Sequence, residues 1–79
     1  MDPIRPEHMR RILDVTDALG IHRESVRVPL ARQGAGSARV LPDGRLEIVA
    51  PLAQDLDSWL HDLPQRLSAL DLSRVRRAG

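Results

Sequence analysis

Residues 37–50 read SARVLPDGRLEIVA, two short β-prone runs around Pro42, Asp43 and Gly44. Proline followed by aspartate and glycine suits a type I turn closed by a left-handed glycine, which predicts a three-residue hairpin loop. That loop length fixes a register. With Leu41 facing Arg45, Val40 meets Leu46, Ala38 meets Ile48, and Arg39 meets Glu47. The apolar pairs then share one face and the opposite charges share the other, so turn chemistry and side-chain pattern agree.

Upstream, Val26, Val28 and Leu30 alternate with Arg27 and Pro29, the pattern of a half-buried strand. Pro29 cannot donate to a ladder, which places this strand at an edge. The glycine-bearing stretch ARQGAGS between the strands reads as a flexible loop. It has neither the lysine nor the following helix that a phosphate-binding loop needs.

A helix is predicted from Pro6 to Leu19, with Met9, Ile12, Leu13, Thr16 and Leu19 on one face and Gly20 as its stop. Beyond Leu52 the apolar period lengthens again. Leu56, Leu60, Leu63, Leu67 and Leu70 recur at helical spacing, with Trp59 widening the stripe. Pro64 interrupts this segment and predicts a kink or a break near Leu63 within a helical region spanning residues 52–75, followed by a frayed tail over 76–79.

The expected architecture is a single α+β domain over residues 1–79, ordered helix, strand, strand, strand, helix, with a three-stranded antiparallel meander and both helices on one face. Residues 1–5 form a lead, 6–20 the first helix and 25–50 the sheet. This order is similar to that of double-stranded RNA-binding domains and of the small toxin-type ribonucleases that resemble them. The resemblance is topological and carries no motif. Gly36 and Ser37 are followed by Ala38 where such ribonucleases carry a histidine, and the region that begins the last helix is acidic where an RNA-binding domain would be lysine-rich.

Composition bounds the function. Seventy-nine residues support one small core, and the absence of cysteine leaves aliphatic packing or a partner to stabilise it. No run approaches the length of a membrane span, so a cytoplasmic protein without a membrane partner is expected. All twelve basic side chains are arginine, and lysine, asparagine, phenylalanine and tyrosine are absent. That pattern matches the codon bias of a GC-rich genome as well as it matches a chemical requirement. Net charge is only +1, which limits attraction to polyanions.

Catalytic chemistry finds few candidates. His8 and His22 have no acid or nucleophile companion in sequence, and Asp57 with His61 lacks the third ligand of a zinc site. No catalytic, cofactor or metal residues are nominated, and an enzyme is not expected. The expected function is a small non-catalytic protein-interaction or oligomerisation module whose partner is a second copy or another protein. Its candidate interface is Leu46, Ile48, Trp59, Leu60 and Leu67, and the Leu46 to Ala50 strand is taken as the second, proline-free sheet edge through which a homodimer would form. The alternative is a nucleic-acid-binding domain using Arg27, Arg32, Arg39, Arg45, Arg74, Arg76 and Arg77. That reading is weakened because no aromatic side chain interleaves them.

Overall fold

The computed structural model describes residues 3–75 of the chain. Helix α1 spans Pro6–Ala18, strands β1, β2 and β3 span Val26–Arg27, Ser37–Val40 and Leu46–Val49, and helix α2 spans Leu56–Ser68. One layer is helical and the other is a three-stranded sheet.

Helix α1 begins with Pro6, whose missing N–H costs nothing in a first turn. It ends where Gly20 N–H donates to the carbonyl of Asp17 and Ile21 N–H reaches back to Thr16. That closure folds Ile21 under the helix, where it is buried beside Ile12 and Thr16. The buried Thr16 hydroxyl is satisfied by donating to the Leu13 carbonyl at 2.9 Å.

The hairpin between β2 and β3 takes the register Ser37 to Val49, Ala38 to Ile48, Arg39 to Glu47 and Val40 to Leu46. Leu41 N–H donates to Arg45 at 2.7 Å and Gly44 N–H to Leu41 at 3.0 Å, the two bonds of a three-residue loop. Gly44 has φ +87. A side chain there would also meet the Arg74 carbonyl at 2.9 Å, because the C-terminal segment packs against the turn.

The sheet is not an antiparallel meander. Its order is β1, β3, β2, and β1 pairs with β3 in parallel, Val26 beside Leu46 and Arg27 beside Glu47. The last strand therefore inserts between the first two. Pro29 ends β1 after two residues, so the chain cannot turn back into a ladder with β2. Residues 28–36 instead cross to the far side of the sheet. Their hydrogen-bonding groups find partners elsewhere: Leu30 accepts from Ile4, Gln33 N–H donates to Ala50, and Gly34 accepts from both Leu52 and Ala53. Arg32 Nε donates to the Pro51 carbonyl at 2.7 Å and Gln54 Nε2 to Ala35 at 2.7 Å. The stretch expected to be a flexible loop is a strap bonded along residues 50–54.

Burial explains why β3 takes the centre. Leu46 and Ile48 are fully buried and Ala50 follows them, whereas β1 and β2 present only half-buried apolar side chains. The strand with the most apolar surface gains most from neighbours on both sides.

Helix α2 is unbroken through Pro64. Leu56, Trp59, Leu60, Leu63 and Leu67 bury on both sides of the proline, which itself lies on the exposed face. Packing of the stripe outweighs the backbone bond that Pro64 cannot make. The helix stops at Ser68 rather than continuing towards residue 75. Asp71 Oδ1 accepts from Ser73 N–H at 3.0 Å, a local turn that competes with helix, and Leu72 and Val75 bury from this irregular segment. Residues 76–79, expected to fray, lie outside the described residues.

Candidate functional site

The five residues nominated as an interface come together in the protein's own core. Leu46, Ile48 and Leu67 are fully buried, Trp59 is 1% exposed and Leu60 4%. None of them offers surface to a partner in this fold. Correspondingly, β3 has neighbours on both sides and is no sheet edge, so the dimer contact expected along it has no free backbone to use. The leucine stripe carries no surplus face because a domain of this size needs all of it.

The arginines are distributed over three places. Arg27 and Arg39 project from the sheet face opposite the helices and share Glu47, at 3.6 and 3.0 Å. Arg45 lies 3.6 Å from Asp43 at the hairpin turn. Arg32 is spent holding the strap to Pro51, and Arg74 is exposed beside the turn. Arg76 and Arg77 lie outside the described residues. Arg45 therefore has a carboxylate of its own and Arg27 and Arg39 divide one between them, which reduces the attraction a phosphate backbone would feel without abolishing it.

The cleft between the N-terminal segment and the start of α2, about 650 Å³, is bordered by Arg5, His8, Arg32, Asp55 and Asp57. Its two carboxylates are already bonded within the fold. Asp57 takes a 2.7 Å bond from Arg11, and Asp55 caps α2 by accepting from the Ser58 backbone N–H and hydroxyl at 3.1 and 2.9 Å. His8 Nδ1 is buried there without a partner among the described residues, and those residues hold no cluster of three or more potential metal ligands.

Three carboxyls are held below their ordinary range by local donors. Asp55 is lowered by the Ser58 backbone N–H and hydroxyl, Asp71 by the Ser73 hydroxyl and N–H, and Asp17 by its hydrogen bond from Arg23. A depressed folded-state pKa contributes stability that is present above the unfolded value and is lost as pH falls through the folded one. The melting temperature should thus hold steady down to about pH 5 and drop below about pH 4, the ordinary carboxyl range. In Asp55→Asn, which keeps a capping oxygen but cannot titrate, the acid loss should be smaller. An identical acid profile in that variant would remove Asp55 from the account.

The remaining feature is the outer edge of β2. Leu41 and Arg45 form a hydrogen-bonded pair, so pairs alternate from there along the antiparallel ladder. Arg39 and Ser37 direct their backbone groups at β3. The N–H and C=O of Ala38 and Val40 point away from the sheet. No strand lies beyond β2 among the described residues. On the opposite edge, β1 is two residues long, Pro29 follows it, and Leu30 and Ala31 are taken by Ile4 and Pro3. Ala38 and Val40 were not nominated from sequence because no local signal tells which strand is central.

Comparison with known protein families, with curated protein sequences and with solved structures finds no match for this chain. No helix among the described residues is long and apolar enough to cross a membrane.

Proposed function

We propose that the chain is a non-catalytic protein-interaction module that receives an extended segment of another protein along β2. One observation carries this reading: insertion of β3 between β1 and β2 leaves Ala38 and Val40 with outward-facing donors and acceptors on a proline-free strand. Such an edge is a template for a further strand, with main-chain bonds giving affinity and side-chain positions giving selectivity.

Apolar association has less support. Leu30 and Leu52 are the large apolar side chains left exposed, at 62% and 54%, among the described residues. The other leucines and isoleucines among the described residues are buried or half-buried, and all of them except Leu13 and Leu41 belong to the core or pack against it. The N–H and C=O groups of a backbone edge, unlike an apolar patch, are hydrogen-bonded by water while it is unoccupied.

Val40→Pro tests the reading. It deletes an outward-facing N–H without removing a bond of the β2 to β3 ladder, so the fold should survive while docking is lost. Titration of isotope-labelled protein with the β-prone peptide Thr-Val-Thr-Val-Thr should shift the amides of Ala38 and Val40, and Val40→Pro should abolish binding. Shifts confined to any other surface would rule the edge out.

A further inference from the structure

We infer that the segment received by β2 is acidic, carrying a carboxylate side chain directly opposite Arg39; this rests on β2 being a docking edge. An antiparallel strand added there bonds to Ala38 and Val40, which leaves Arg39 between them at a non-hydrogen-bonded position. At such positions the facing Cα atoms are only about 4.5 Å apart and side chains approach most closely. The residue facing Arg39 is therefore the one the edge reads most strongly.

Its preferred charge follows from the open sheet face. Glu47, whose side chain is only 14% exposed, lies between the guanidinium groups of Arg27 and Arg39, whose side chains are 61% and 67% exposed. Two positive charges share one negative charge, leaving the row cationic. Glu47 takes the Nε–H of Arg39, and a guanidinium has four further N–H donors in a fork that matches a carboxylate. Beside Arg39 runs a shallow cleft bordered by Gln33, Ser37 and Glu47, which gives a long acidic side chain room to lie along the face.

The same geometry disfavours a second copy of the chain. Two β2 strands related by a two-fold axis make the most hydrogen bonds when Ala38 faces Val40 of the other copy. That register sets Arg39 against its own equivalent at the closest side-chain position, and like charges directly opposite are destabilising. A lysine-bearing segment meets the same penalty.

Two end-blocked peptides, Thr-Val-Glu-Val-Thr and Thr-Val-Lys-Val-Thr, separate these outcomes when titrated into the isotope-labelled full chain. Shifts at the Ala38 and Val40 amides are expected with both. The glutamate peptide should bind about five- to tenfold tighter, from roughly 1 kcal/mol of paired against repelled charge. That preference should shrink with added salt, disappear in Arg39→Gln and invert in Arg39→Glu. A melting curve for each variant, with Arg39→Gln as the milder change, guards against loss of fold. Equal affinity for the two peptides at the edge amides would leave the docking edge standing and overturn the acidic partner. An absence of shifts at those amides with either peptide would overturn both. A dimer formed without peptide and dissolved by Val40→Pro would make the second copy the occupant and defeat the inference.

Discussion

Trp59→Ala is expected to leave the chain largely unfolded at room temperature. The indole is 1% exposed and lies among Leu56, Leu60 and Leu63 of its own helix and the buried face of β3. Truncating a buried tryptophan costs about 3–5 kcal/mol, as much as the whole net stability of a domain this small. Trp59→Phe is expected to be much milder. It keeps most of the ring contact, and it removes an Nε1–H that is buried without an acceptor among the described residues. Circular dichroism on heating should show a cooperative transition for the phenylalanine variant and little or none for the alanine variant. A normal melt for Trp59→Ala would show that the core does not depend on the indole.

Gly36→Ala is expected to be the second severe change. Gly36 has φ +76, and a Cβ placed on it would lie 2.9 Å from the Val49 carbonyl oxygen, 3.0 Å from Pro51 N and 3.0 Å from Trp59 Nε1. Two of these are backbone atoms, so relief requires moving the end of β3 or lifting the strap. A left-handed conformation costs roughly 1–2 kcal/mol with a side chain and overpacking about 1–3 kcal/mol more, giving about 2–5 kcal/mol together. Gly34→Ala is the internal control, since Gly34 also has positive φ, +47, but nothing lies within 4 Å of its Cβ position. Urea midpoints should rank parent, Gly34→Ala, Gly36→Ala. Equal losses in the two variants would mean that the strap does not rest on Trp59.

The parts of this fold that can be read from sequence are those decided by neighbours along the chain. Pro42, Asp43 and Gly44 set the hairpin and its register by themselves, and Gly20 with Ile21 closes α1 through bonds spanning five residues. Strand order is different. The pairing of Val26 with Leu46 leaves no mark in either segment, and an apolar run such as LEIVA suits an edge or a centre until its neighbours are known. The strap misleads for the same reason, because its glycines look mobile while its partners lie at residues 50–54. At the end of α2 the leucine period runs on to Leu70, but there the backbone tightens to a bond from Leu70 N–H to the Leu67 carbonyl and a separate turn at Asp71 follows, neither of which the apolar pattern signals.

The candidate site follows the same division. Arg39 and its pairing with Glu47 are legible once the hairpin is placed. The open edge is not, because whether Ala38 and Val40 face a neighbour depends on where β1 goes. The leucine stripe is legible as apolar, but its spacing does not say what it faces. Residues of one stripe cannot fill a small core and also face a partner, and burial of Leu60, Leu63 and Leu67 assigns them to the core.

Insertion of β3 between its predecessors also orders events during synthesis. As the chain emerges from a ribosome, β1 and β2 appear without sheet partners, and neither can be paired until Leu46–Val49 follows. The hairpin, being local, closes first, and β1 then docks in parallel over a longer loop. Any nascent chain halted before Leu46 holds the strap, Val26 and Val28 with nothing to cover them. A stalled or truncated product ending there would present apolar surface to chaperones and proteases, and that exposure ends only once Leu56–Ser68 has followed and α2 covers the sheet.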